Sequence, residues 1–120
     1  MNRDELRIFT GPVTTAEANF GSTVNPNQRR FIYRVKVVNE NPGSNLLTLK
    51  KSENGGVSVP VDYYQTAVQY ETQTDPEDLL EDSEPLYIVE GGGSGGTSYL
   101  RAVTDTGNAY LTIWYIDAIA

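Results

Sequence analysis

Apolar and polar residues alternate along most of this chain. Phe31, Tyr33, Val35 and Val37 alternate with Ile32, Arg34, Lys36 and Val38, the period of a strand with one apolar and one mixed face. Pro42-Gly43-Ser44 punctuates that run, and Leu47 and Leu49 then alternate with Thr48 and Lys50 in a second strand. Asn54-Gly55-Gly56 is a turn signal. Val57, Val59 and Val61 follow on one face, with Pro60 marking an edge or a strand end. Tyr64, Thr66, Val68 and Tyr70 predict another strand, Leu86 to Val89 a short one, and Tyr99 to Val103 the next. Asp105-Thr106-Gly107-Asn108 turns the chain into a last strand, Tyr110 to Ile116. That strand is apolar on both faces, with Leu111, Ile113 and Tyr115 on one and Thr112, Trp114 and Ile116 on the other. Such a strand belongs in the middle of a sheet or at an interface.

Three segments depart from the alternation. Asp75 followed by Pro76, Glu77 and Asp78 has the layout of a helix start, predicting one or two helical turns before Glu84, pinned by Leu79 and Leu80. Gly91-Gly92-Gly93-Ser94-Gly95-Gly96 predicts a flexible hairpin or sheet-crossing loop. It lacks the lysine and the following helix that a phosphate-binding loop needs. In the first 30 residues Leu6, Ile8 and Phe9 are the only tight apolar group, and Gly11-Pro12, Gly21 and Asn25-Pro26-Asn27 break up the rest.

Roughly seven short strands, with turn signals every 8–12 residues and no long helix, predict an all-β antiparallel sandwich, jelly-roll or immunoglobulin-like. Residues 1–30 read as a short strand and an extended arm, and 31–120 as the sandwich domain. Such an arm either lies on its own domain or reaches onto a neighbour.

Composition narrows the chemistry. The chain has 120 residues, the size of one domain, with no cysteine and no histidine. Disulfides, thiol catalysis, Ser-His-Asp chemistry and the usual zinc sites are thereby excluded. Residues 1–60 carry eight basic and five acidic groups, while 61–120 carry Arg101 alone against eleven acids. The net charge of −7 disfavours nucleic-acid phosphates. The acidic stretch from Glu71 to Glu84 does not follow the spacing of a calcium loop and reads as a solvated loop. No apolar run approaches a membrane span, and the N-terminal residues do not lead into an export signal, so synthesis in the cytosol is expected. No cofactor or catalytic group is expected.

Three stretches carry a resemblance: Phe31 to Asn39, Pro76 to Val89, and the closing Tyr110 to Asp117. Together they resemble small all-β virion proteins of tailed phages, the capsid decoration (cement) proteins and related accessory proteins. The resemblance implies a non-catalytic structural protein made in the host cytoplasm and carried on the virion. It further implies binding to the outside of the major capsid protein shell, with a homo-oligomer, a trimer first, as the assembly state.

Candidate partner-binding residues are Leu6, Ile8 and Phe9 of the arm, the basic pair Arg29 and Arg30, and Trp114. The arm as far as Asn27 is expected to touch a neighbouring subunit or the shell. Tyrosine and tryptophan combine a large contact area with a polar tip and are enriched at interfaces. The same rings suit sugar stacking, so a carbohydrate-binding module is the alternative, as is a tail or fibre adaptor of a virion.

Overall fold

The computed structural model describes residues 1–93 and 96–119. A 3-10 turn, Arg3–Glu5, precedes β1 (Arg7–Val13), β2 (Ala18–Asn19), β3 (Gln28–Asn39), β4 (Asn45–Ser52) and β5 (Val59–Thr66). Then come β6 (Thr72–Asp75), β7 (Tyr87–Glu90), β8 (Tyr99–Thr104) and β9 (Ala109–Ile119). In the first sheet β1, β9 and β3 lie side by side, and the far edge of β3 carries β7 opposite Arg29–Ile32 and β6 opposite Val35–Val38. The second sheet runs β2, β8, β4, β5. Every named pairing is antiparallel.

Apart from the β4–β5 hairpin and the step from β6 to β7, each strand hands the chain to the opposite sheet. That order is the jelly-roll rather than the immunoglobulin-like form of the expected sandwich. β9, apolar on both faces, lies between β1 and β3, as such a strand should. Between the sheets, Ile32, Val35 and Val37 of β3 and Leu111 and Ile113 of β9 form one core with Leu47 and Leu49 of β4, Tyr64 of β5 and Leu100 of β8. Each fully buried aliphatic side chain there contributes about 1.5–3 kcal/mol relative to exposure.

The N-terminal residues lie on their own domain. β1 is paired with β9 along its whole length, from Arg7 opposite Tyr115 to Val13 opposite Ala109. Phe20 and Val24 are buried in the common core, and Val24 bridges to Ser98.

Three local expectations differ. Val57 to Tyr70 does not form two strands: β5 spans Val59–Thr66, with its irregularity where Lys50 faces Pro60, and the chain turns at 67–70. No helix forms over 75–84. Residues Thr72–Asp75 pair with Val35–Val38, so the backbone of Asp75 belongs to a ladder and cannot cap a helix. The expected flexibility of the glycine-rich loop falls partly on residues 94–95, which lie outside the described residues. The flanking glycines are held by packing: a Cβ on Gly91 would overlap the carbonyl oxygens of Asn25 and Gln28, and one on Gly96 the backbone of Asn54.

One end of the sandwich is organised by two buried asparagines. Asn39 Nδ2 donates to the carbonyls of Gly43 and Val68, each at 2.9 Å, and its Oδ1 accepts from Asn41 N–H at 2.9 Å. Asn45 Nδ2 donates to Gly107 O at 2.9 Å, and its Oδ1 accepts from the N–H groups of Thr106 and Gly107 at 3.2 Å. Asn45 Nδ2 also meets Asn39 Oδ1 at 3.3 Å. Two side chains thus tie together the β3–β4, β5–β6 and β8–β9 turns.

Candidate functional site

The outer face of the first sheet gathers apolar, aromatic and basic side chains in rows. Strand alternation turns Leu111 and Ile113 inward and Tyr110, Thr112 and Trp114 outward. Register then sets three rows across the sheet. Ile8 faces Trp114, which faces Arg34. Thr10 faces Thr112, which faces Lys36 and then Thr74. Pro12 faces Tyr110, which faces Val38 and then Thr72. The Arg34 guanidinium sits 5.0 Å from the Trp114 ring centroid, and its Nη2 donates to Glu77 O at 2.8 Å. In the middle row the Thr10 and Thr112 hydroxyls meet at 3.0 Å. Ile8 is 61% exposed and Tyr110 45%, large apolar groups left in water by the single chain. A cation over an indole, two open apolar residues and a polar middle row make a surface suited to a protein partner.

The expected partner-binding residues divide. Ile8 and Trp114 are neighbours on this face. Phe9 points to the other side of β1, where its ring meets Phe20 edge-on at 4.9 Å between centroids. Leu6 is half-buried just before β1, in a segment tied down by the Met1 amine to Glu81 O and the Arg3 guanidinium to Leu79 O. Arg29 is exposed and paired with Glu90 at 2.8 Å.

Arg30 is 1% exposed, so it has no open surface to offer a partner. Its Nε and Nη2 donate to the two oxygens of Asp117 at 2.8 and 2.9 Å. Its Nη1 reaches Ser22 O at 2.7 Å and Nη2 reaches Ser22 Oγ at 2.9 Å. The guanidinium lies 4.6 Å from the Tyr115 ring centroid. This fork clamps the N-terminal segment to β9, which is why it is buried rather than presented. Composition marked it as a basic surface residue because sequence does not show which arginines turn inward.

Other polar groups are also used internally. Glu17 bridges Lys50 at 2.9 Å and Arg101 at 2.8 Å, chiefly the Lys50 bond holding its carboxyl below the usual carboxylate value. The Tyr64 and Tyr87 hydroxyls meet at 2.6 Å, and Tyr87 donates to the Asp62 carboxylate, linking β5 of one sheet to β7 of the other. Burial first, then these bonds, raises the Tyr87 phenol above its ordinary value; burial likewise raises Tyr64. Among the described residues no group of three or more carboxylates gathers as a metal site. Sequence reasoning missed that Arg34, Lys36, Val38 and Tyr110 share the Trp114 face. The alternation in β3 and β9 carried half of that signal, but their mutual register did not appear in it.

The fold places the chain in the class of two-sheet jelly-roll sandwiches. No family model matches it, and no curated protein matches it. One solved structure, described as the crystal structure of PirA, aligns over 96% of both chains at 10% identity with a TM-score of 0.41.

Proposed function

We propose that this chain is a non-catalytic structural virion protein of the capsid decoration type. Its docking surface is the outer face of β1, β9 and β3. The observation that carries the reading is the pair of apolar rows, Ile8 with Trp114 and Pro12 with Tyr110 and Val38, on one side of a sheet. Trp, Tyr and Arg, all present on this face, are enriched among the few interface residues whose truncation costs about 2 kcal/mol or more. Docking that joins neighbouring shell subunits stabilises the assembled lattice by mass action, because the assembled form binds the decoration protein better than free subunits do. The face carries Arg34 and Lys36 and so fits an acidic patch on the shell. A closed homo-oligomer, a trimer first, is the expected assembly on it.

The test replaces exposed groups and leaves the core intact. Ile8→Asp combined with Tyr110→Asp is expected to melt within a few degrees of the wild type yet lose co-sedimentation with purified capsids. Val57→Asp, on the exposed turn before β5, is the control and retains it. Retained binding of the double variant removes the face from the proposal. Mass spectrometry of gradient-purified particles that finds no stoichiometric copy of the chain removes the virion role itself.

A further inference from the structure

The end of the sandwich built on Asn39 and Asn45 carries an open depression of about 510 Å3, lined by Glu40, Asn41, Pro42, Gln69, Tyr70, Gly107 and Asn108. Its volume lies in the ~300–1,000 Å3 range of small-molecule sites. We infer that this depression is a binding site for a neutral sugar residue of a glycan, with Tyr70 as the stacking platform. The inference is independent of the docking face.

Four features carry it. First, the base is rigid. The buried amides of Asn39 and Asn45 spend their bonds on the backbones of the three turns. Main-chain bonds add to this: Tyr70 N–H to Asn39 O at 2.6 Å and Glu40 N–H to Asn108 O at 3.0 Å. A preformed site saves the entropy that ordering a loop would cost on binding.

Second, Tyr70 has a left-handed backbone with φ +67°. That conformation is uncommon for a bulky residue and clusters at functional positions. It leaves the ring 69% exposed at the lip of the depression, where core packing does not account for it.

Third, the rim keeps hydrogen-bonding capacity. Gln69 Nε2 is occupied by Glu40 O at 3.2 Å, and Asn41 Nδ2 by Ser44 O at 3.1 Å. Among the described residues the Glu40 carboxylate, the Asn108 side-chain amide and the Tyr70 hydroxyl have no protein partner. A carboxylate accepts from two vicinal hydroxyls and an amide both donates and accepts, while an aromatic ring covers the C–H face of a pyranose. Fourth, the Asn41 side chain packs into the space a Cβ on Gly107 would take, which seats the β3–β4 turn against the β8–β9 turn at the base of the depression.

Charge sets the class of sugar. Glu40 lies in the site, and residues 61–120 carry eleven acids against one arginine. Sialic acids, uronic acids and sugar phosphates meet like charge there.

The experiment is saturation-transfer NMR, with mapping of amide shifts, on the full chain. The probes are the methyl glycosides of glucose, galactose, mannose and N-acetylglucosamine, with methyl glucuronide as the anionic probe. At least one neutral glycoside is expected to bind in the millimolar range and to shift Glu40, Tyr70, Gly107 and Asn108. Tyr70→Gly removes the ring and tolerates the same backbone, so it is expected to weaken binding about ten-fold. Glu40→Gln keeps the shape, loses the charge and weakens binding several-fold. Tyr63→Ala, on the outer face of the second sheet, leaves it unchanged. The inference is overturned by no neutral binding up to about 20 mM, by shifts that map elsewhere, by full affinity in Tyr70→Gly, or by preference for the glucuronide.

Discussion

Replacing Asp117 by asparagine tests whether Arg30 is a clamp or a contact. The substitution keeps the volume and removes the charge that faces a guanidinium 1% exposed. Removing one partner of a buried ion pair costs about 3–5 kcal/mol, because the remaining charge is left uncompensated. Two features reduce the figure here. Asp117 is itself 20% exposed, so part of the pair is already screened. Arg30 also keeps both bonds to Ser22 and the Tyr115 ring. The expected loss is therefore about 2–3 kcal/mol. For a chain of this length the unfolding entropy is roughly 0.25 kcal/mol/K, so Tm should fall by about 8–12 °C. Differential scanning calorimetry measures that shift, and Arg30→Met with the double variant completes the cycle. A strongly favourable coupling is expected, since each single change strands a different group. A drop below about 2 °C in Asp117→Asn would refute the clamp. So would an Arg30→Met protein of unchanged Tm that has lost capsid binding, since Arg30 would then be a partner contact.

Two further outcomes follow from the polar framework. Asn45→Leu strands the N–H groups of Thr106 and Gly107 and the carbonyl of Gly107, so it should cost about 3 kcal/mol by urea unfolding. It should also speed amide exchange in the turns at 40–44 and 105–108, and equal protection in both proteins would count against the network. Stability should depend on pH at both extremes. Glu17, held low chiefly by Lys50, Glu71 by the Ala67 N–H and Asp105 by the Leu46 N–H all bind protons less readily folded than unfolded. Their contribution is complete above the unfolded values of 4.5 and 3.8 and disappears as pH falls through the lower folded values. Tyr64 and Tyr87 are raised, so their contribution is complete below 10.0 and is lost as pH climbs beyond it. Thermal melts across pH should show a plateau with both edges, and an alkaline limb unchanged in Tyr87→Phe would contradict the second assignment.

Local pattern was sufficient wherever the residue period and the backbone state coincide. In β4, over Val35–Val37 of β3 and over Leu111–Ile113 of β9, the side that meets the core is written in alternation, because a strand's side chains point to opposite faces. At the irregularity between Ile32 and Arg34 the face changes, so Ile32 is buried while Phe31 and Tyr33, expected on the apolar face with Val35, are only half-buried. The pattern failed where a local preference was overruled at long range. Asp75-Pro76 has the residues of a helix start, yet Asp75 is paired opposite Val35, forty residues earlier in the chain. Val68 and Tyr70 continue the alternation of β5, but bonds from Asn39 Nδ2 to Val68 O and from Tyr70 N–H to Asn39 O turn the chain there.

The candidate surfaces divide along the same line. Sequence by itself determined an all-β sandwich with a central apolar last strand, the absence of thiol and imidazole chemistry, and Ile8 and Trp114 among six candidate partner-binding residues. Only the tertiary structure decided that those two are neighbours, that Arg30 turns inward to Asp117, and that three turns close around Asn39 and Asn45 beneath Tyr70. The physical reason is that alternation records which face a residue takes within its own strand. Register between strands distant in sequence, and the partner each buried polar group finds, exist only once both sheets have closed on the common core.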